Sequence, residues 1–163
     1  MKALNKHIIV ALMVSIFLMP AAWAMADDGI TVVANPYNQN KAQKWVDYLL
    51  QNEVTVKFAK PEDFESVKSS KYLAIIGGVD DEHIMNLVSQ AVGGKEASAM
   101  AKKGAKKMFI KDGTWAPGQK VLIFTGSDTE AAAQARVESR ESWMPYLVDW
   151  FDLDEGPTTL RAY

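Results

Sequence analysis

The sequence predicts an α/β domain in which a mainly parallel sheet carries helices on both faces, a three-layer, Rossmann-like arrangement. Three observations lead to this prediction. Short apolar runs alternate with longer segments of helical spacing. Most of these short runs are apolar on both faces, as parallel strands covered on both sides must be. A strand-to-helix junction also occurs twice in similar form, which is typical of repeated βα units.

The strands are predicted from five short runs, at residues 30–34, 54–58, 72–76, 107–111 and 121–125. The run at residues 54–58 alternates apolar and polar side chains, whereas residues 72–76 are apolar throughout. Too few residues separate the fourth run from the fifth for the crossover that a parallel pair would need. We therefore expect residues 107–111 to pair antiparallel with residues 121–125 and to form an edge of the sheet.

The main helices are predicted from apolar residues at spacings of three and four, at residues 41–51, 81–92, 128–142 and 144–151. Residues 61–67 and 95–104 are predicted as shorter helical segments. Pro145 lacks the amide hydrogen that a helix interior uses, so we expect the chain to break or kink there.

Large apolar side chains are concentrated in the last predicted helix. They share one helical stripe and are Trp143, Tyr146, Leu147, Trp150 and Phe151. We expect this stripe to pack on the sheet. The alternative is an exposed stripe, which would form a docking surface for another protein.

The first residues have the three-part pattern of a secretory signal peptide. A basic start precedes an apolar run at residues 8–19, and the small residues Ala22 and Ala24 follow. The apolar run is shorter than the roughly 20 residues that span a bilayer. We therefore expect a signal peptide at residues 1–24, a single α/β domain at residues 25–163, and no transmembrane anchor after cleavage. The predicted location is the periplasm or the cell surface.

Cleavage would change the composition on which function depends. Removing 24 of the 163 residues leaves 139, and the formal charge moves from −2 to −4 because two lysines leave with the segment. Cleavage after Ala26 is the alternative. The exported chain would keep one histidine, His83, and it has no cysteine. These features exclude disulfides and cysteine-ligated metals, and they argue against nucleic-acid binding; no cofactor or metal is expected.

Two strand-to-helix junctions share the pattern Gly-x-Asp-x-Glu, beginning at Gly78 and at Gly126. The carboxyl ends of parallel strands meet at one edge of a sheet, where open α/β folds bind ligands. A candidate ligand-binding site therefore combines residues from three strand ends: Asn35, Gly77, Gly78, Asp80, Gly126, Ser127 and Asp128. The alternative is that these glycines and aspartates only build the turns and cap the helices.

Motifs of known enzyme classes are missing from the sequence. It contains no G-x-x-x-x-G-K-[ST], no G-x-S-x-G and no H-E-x-x-H pattern. No catalytic residue is therefore predicted. An open alternative is a small periplasmic hydrolase that uses either Ser127 with His83 or Asp80 with Asp128 at the strand ends.

Lysines are concentrated between residues 95 and 111 of a chain that is otherwise acidic. They define a predicted basic patch of Lys95, Lys102, Lys103, Lys106, Lys107 and Lys111. Such a patch could contact an anionic envelope polymer or lipid headgroups. The alternative is that these lysines protect a sheet edge from pairing with another chain.

Residues 74–76 end a predicted strand that the double glycine Gly77-Gly78 follows, and residues 115–128 lead through a predicted turn and strand into Gly126-Ser127-Asp128. Together these segments resemble surface-layer-associated modules and cell-wall-binding repeats of prokaryotic envelopes. The resemblance covers about residues 72–130, and it implies surface attachment or assembly without catalysis. The expected function is thus an exported, non-catalytic α/β binding or assembly module whose partner is an envelope polymer or an envelope protein.

Overall fold

A computed structural model describes residues 29–153. The described strands are β1 (Ile30–Ala34), β2 (Val56–Ala59), β3 (Tyr72–Gly78), β4 (Lys106–Asp112) and β5 (Lys120–Gly126). They form one sheet in the order β2-β1-β3-β5-β4. All neighbouring strands are parallel except β4, which runs antiparallel to β5. The predicted α/β class and the antiparallel edge strand are confirmed.

The described helices are α1 (Pro36–Lys41), α2 (Gln43–Gln51), α3 (Glu82–Val92), α4 (Gly94–Met100), α5 (Thr129–Glu138) and α6 (Arg140–Phe151). A 3₁₀ helix at Pro61–Ser66 joins β2 to β3. Within residues 29–153, none of these helices is long and apolar enough to cross a membrane. The predicted signal peptide at residues 1–24 and the end of the chain beyond residue 153 lie outside the described residues.

The helices cover the sheet on both faces, as predicted. Alternate residues of each strand point to opposite faces. Val32 belongs to a core cluster with side chains of α2, α5 and α6, whereas Val33 belongs to a second cluster with side chains of the 3₁₀ helix, α3 and α4. Both valines are fully buried, because β1 lies inside the sheet and is covered on each side.

The predicted helix break at Pro145 is wrong, because the chain turns at Ser139 and Pro145 lies within α6. Pro145 and Glu141, whose carbonyl group loses its helical donor, are both exposed residues. At the turn, the Ser139 hydroxyl donates to the carbonyl oxygen of Ala135 at 2.6 Å. The indole Nε1 of Trp143 donates to the carbonyl oxygen of Arg136 at 2.8 Å, which a continuous helix would have used internally.

The predicted packing of the α6 stripe on the core is confirmed for Trp143, Leu147, Trp150 and Phe151, whereas Tyr146 is 43% exposed and does not belong to the buried face. Trp143 is 1% exposed and meets the rings of Trp45 and Phe124 edge-on, with centroids 5.6 and 5.5 Å apart. Leu147 is fully buried, and Trp150 packs against the same core. This burial contradicts the alternative of an exposed docking stripe.

Candidate functional site

The sheet brings the ends of β1, β3 and β5 together at one edge. Ala34 is the register partner of Ile76, and Gly78 is the register partner of Gly126. The amide of Val79 donates to the carbonyl oxygen of Gly126 at 2.9 Å and ties the two predicted junctions to each other. The three strand ends that supply the candidate site are therefore neighbours.

The glycines of these junctions lie where no side chain fits. A Cβ atom on Gly77 would lie 2.6 Å from Cγ1 of Ile84, and one on Gly78 would overlap the backbone of Asp128 and the carboxylate of Asp80. A Cβ atom on Gly126 would lie 2.6 Å from Cβ of Ala131. Gly78 therefore permits the β3–α3 junction to approach the backbone of Asp128 closely, whereas Gly126 makes room for Ala131 of α5.

The aspartates of the two junctions do not occupy equivalent positions. Asp128 caps α5, since its Oδ1 accepts from the amide of Ala131 at 2.8 Å. In the other junction the cap is Asp81, whose Oδ1 accepts from the amide of His83 at 2.9 Å. Asp80, which matches Asp128 in the sequence pattern, is exposed and leaves the capping to its neighbour.

Ser127 is engaged in a local network at the start of α5. Its hydroxyl donates to Oδ2 of Asp128 at 2.9 Å, and its Oγ accepts from the amide of Gly104 at 3.1 Å. The bonds from Ala131 and Ser127 lower the pKa of Asp128. His83 is exposed on α3, and within residues 29–153 no hydrogen bond joins its side chain to Ser127.

A second local network includes Glu130, in the first turn of α5. The hydroxyl of Tyr37 donates to Oε2 of Glu130, and this bond lowers the pKa of Glu130 and raises that of Tyr37. Both side chains are exposed, so the pair links α1 to the first turn of α5 at the surface.

Two asparagines, Asn35 and Asn38, lie just after the carboxyl end of β1. Asn35 caps α1 by accepting from the amide of Asn38 at 2.9 Å, and its Nδ2 donates to Oγ1 of Thr129 at 3.2 Å. Asn38 is 1% exposed and donates through Nδ2 to the carbonyl oxygen of Ile76 at 3.3 Å, beyond the last residue of β1. Asn38 was not among the predicted site residues, although a polar residue two positions after a proline at a strand end is a signal that could have found it.

The predicted basic patch does not form one face. Lys106 and Lys107 are adjacent in β4 and therefore point to opposite sides. Lys106 forms an ion pair with Glu138 at 2.6 Å, and Lys107 forms one with Glu96 at 3.2 Å. The remaining members are Lys95, Lys102, Lys103 and Lys111, of which the first three are exposed and Lys111 is half-buried. This arrangement fits the alternative in which the lysines protect an edge strand.

A cleft between the α1–α2 pair and the α5–α6 pair gathers four basic side chains. We call it the basic cleft, and its described lining consists of Lys41, Lys44, Trp45, Tyr48, Arg136, Arg140, Trp143 and Met144. Its cavity volume is about 60 Å³. This site was not predicted, because the two halves of its lining are far apart in the chain. The local signals are the pairs Lys41 and Lys44, three residues apart, and Arg136 and Arg140, four residues apart.

Contacts join the two halves of the basic cleft. Nη2 of Arg136 donates to the carbonyl oxygen of Lys41 at 2.8 Å, at the end of α1. Burial lowers the pKa of Arg136. The rings of Trp45 and Trp143 meet edge-on behind the basic side chains. The guanidinium of Arg136 therefore occupies a defined position at the wall of the cleft.

Trp45 supplies an unusual polar group to this lining. The residue is 5% exposed, and its indole Nε1 is buried without a hydrogen-bond partner among the described residues. Buried donors are nearly always paired in folded proteins.

No model of a known protein family, no curated protein and no solved structure matches this chain.

Proposed function

We propose that this chain is an exported, non-catalytic α/β module that binds an anionic component of the cell envelope. Export is inferred from the signal-peptide pattern at residues 1–24, and the envelope context from the resemblance over residues 72–130. The binding surface in this proposal is the basic cleft. It replaces both the strand-end crevice and the lysine patch as the preferred site.

The observation that carries the proposal is the convergence of four basic side chains on one cleft. Lys41 and Lys44 come from the α1–α2 region, and Arg136 and Arg140 come from α5 and α6. The whole chain has a formal charge of −2, so this concentration of positive charge runs against its average. A concave surface of one sign attracts ligands of the opposite sign and raises their local concentration.

The bonding at the strand ends supports a role without covalent chemistry. Asp128 accepts hydrogen bonds from Ala131 and Ser127 and caps a helix. Ser127 is bonded to that carboxylate and to the amide of Gly104 rather than to an imidazole. A serine nucleophile needs a base within hydrogen-bond reach. The hydrolase alternative is therefore the weaker proposal.

Retention on isolated envelope fractions tests the proposal. Protein expressed from the full chain would be mixed with envelope fractions at low and at high salt, and the bound fraction measured by sedimentation. We expect binding at low salt that falls as salt screens the charges. The double variant Lys44→Gln/Arg140→Gln should lose most of this binding.

The matched control is Lys102→Gln/Lys103→Gln, which removes the same charge from exposed positions outside the cleft. It should bind as the wild type does. Equal losses in both double variants would assign binding to net charge and contradict a specific cleft. No retention at either salt concentration would contradict the proposed function.

A further inference from the structure

We propose that the outer edge of β2 pairs antiparallel with the same edge of a second copy of this chain, so that the two sheets join across a two-fold axis. This pairing goes beyond the proposed function and does not depend on the basic cleft. Three features of residues 55–63 support it: an exposed strand edge, an exposed phenylalanine, and charges that complement each other across the axis.

The outer side of β2 carries no partner strand among residues 29–153. β2 pairs with β1 and lies at one end of the sheet, and β4 lies at the other end. Three lysines lie in β4, and lysines on an edge strand oppose pairing with another chain. β2 carries one lysine, Lys57, and the side chain of Phe58 is 41% exposed. β2 is therefore the less protected edge of the sheet.

The backbone of β2 turns alternate residues toward β1 and toward solvent. The amide of Ile30 in β1 donates to the carbonyl oxygen of Thr55 at 2.9 Å, so the backbone groups of Thr55 face β1. Successive residues of a strand direct their amide and carbonyl groups to opposite edges. Lys57 and Ala59 therefore also face β1, and the residues between them face outward.

The outward backbone groups are those of Val56 and Phe58, together with the amide of Lys60. Lys60 is still extended, with φ −80° and ψ 156°, but its carbonyl oxygen accepts from the amide of Asp63 at 3.0 Å. An antiparallel pair centred on Phe58 matches these groups. The two copies of Phe58 exchange both backbone hydrogen bonds, and the amide of Lys60 donates to the carbonyl oxygen of Val56 in each direction.

This register also matches the side chains on both faces of the strand. Phe58 lies opposite Phe58 of the second copy, and cross-strand aromatic pairs stabilise a sheet. On the other face, Lys57 lies opposite Ala59 of the second copy. Ala59 packs against the core cluster that includes Phe64 of the 3₁₀ helix. Lys57 therefore points to the face on which the 3₁₀ helix of the second copy lies.

Carboxylates lie beside Ala59, where Lys57 of the second copy arrives. They line an open pocket of about 380 Å³, formed by Phe58, Ala59, Glu62, Asp63, Glu65, Ser66 and Val67. Two of the three carboxylates form ion pairs with neighbouring lysines, at 3.9 and 3.2 Å. The carboxylate of Asp63 is exposed and has no such lysine among residues 29–153. Asp63 is therefore the acceptor for Lys57, and the two-fold axis forms this contact twice.

Sedimentation velocity at increasing concentrations of the full chain tests the pairing. β2 has four residues, so the contact is small, and we expect a weak dimer that forms as concentration rises. Hydrogen exchange locates the contact. The amides of Phe58 and Lys60 should exchange more slowly in the dimer, because they become hydrogen-bonded. The amide of Lys57 faces β1 in both states and serves as the internal reference.

Variants of β2 and the 3₁₀ helix test the register. Phe58→Pro removes an outward amide and the exposed ring but keeps the amides that face β1, so it should abolish the dimer. Lys57→Glu and Asp63→Lys should each weaken dimerisation by about tenfold or more, because like charges then meet. The double variant Lys57→Glu/Asp63→Lys exchanges the two charges and should restore the dimer. Lys103→Glu changes the same charge at an exposed position outside β2 and should dimerise as the wild type does.

A chain that stays monomeric at every concentration overturns the proposal and leaves this edge to an extended segment of another protein. A dimer that persists in Phe58→Pro also overturns it, because the contact would then lie elsewhere. If Phe58→Pro does not fold, the charge variants decide, and a charge exchange that fails to restore the dimer overturns the proposed register. Retention on envelope fractions tests the proposed function separately, because the cleft variants leave β2 unchanged.

Discussion

Gly78 lies against the backbone of Asp128, so closely that a Cβ atom on residue 78 would overlap the main chain there. This contact joins the β3–α3 junction to the β5–α5 junction at the carboxyl edge of the sheet. It brings the backbones of the two junctions into direct contact. The glycine is needed for close approach, and the neighbouring aspartate is needed to cap α5.

Gly78→Ala should destabilise the fold, because the new methyl group has no room without a shift of the Asp128 backbone. We expect a loss of about 1–3 kcal/mol in the free energy of unfolding, measured by urea denaturation. Gly94→Ala is the matched control, since Gly94 lies in α4 with open space around it. That variant should be neutral or up to about 1 kcal/mol more stable. Equal stability of the two variants would contradict the close contact.

Asp128→Asn should make the free energy of unfolding depend less on pH in the acid range. The pKa of Asp128 is lowered in the folded state, chiefly by the Ala131 amide and then by Ser127. The unfolded state therefore binds the proton more readily, and stability falls as pH drops below the ordinary aspartate pKa of about 3.9. Asparagine still caps the helix but does not titrate.

Urea midpoints measured between neutral and acid pH check this prediction. The variant should be less stable than the wild type at neutral pH, because asparagine lacks the charge that the Ala131 and Ser127 bonds stabilise, and this difference should narrow in acid. Asp80→Asn is the control, because this exposed aspartate leaves the capping of α3 to Asp81. If the urea midpoint of Asp128→Asn fell in acid as steeply as that of the wild type, the Asp128 cap would contribute nothing to the pH dependence of stability.

Pro145→Ala should stabilise α6. Proline inside a helix removes one backbone hydrogen bond, and alanine would restore a donor for the carbonyl oxygen of Glu141. The exposed position gives alanine room. We expect a gain of about 1–2 kcal/mol, after allowing for the greater freedom of the unfolded alanine chain. Asp149→Ala, at another exposed site of α6, should change stability by less than about 0.5 kcal/mol. Loss of stability in Pro145→Ala would contradict this account.

Local pattern predicted the elements of the sheet because strand formation here follows short-range hydrophobicity. The run beginning at Tyr72 is apolar throughout, and β3 is buried along its whole length. The short connection between β4 and β5 was enough to predict their antiparallel pairing, since chain length alone forbids a crossover. The helix break was mispredicted at Pro145. The break lies at Ser139 instead, where the buried Trp143 side chain donates to the carbonyl oxygen of Arg136, and this tertiary contact is not visible in the local sequence.

Two features of the candidate site, the cap of α3 and the direction of its lysines, could not be predicted from the sequence. The repeated Gly-x-Asp-x-Glu pattern predicted neighbouring strand ends correctly, but it did not show that Asp81 rather than Asp80 caps α3. That choice depends on the exact residue at which the helix begins. Adjacent lysines such as Lys106 and Lys107 look like one patch in the sequence, although the alternation of a strand sends them to opposite faces.

The sequence by itself determined the α/β class, the five strands and the antiparallel edge, because these follow from hydrophobic period and connection length. Only the tertiary structure decided which basic side chains lie close to one another. Lys41 and Arg136 are distant in the chain, and their contact depends on α1 and α5 packing on the same face of the sheet. The basic cleft and the unpaired indole of Trp45 are products of that packing, which no local pattern encodes.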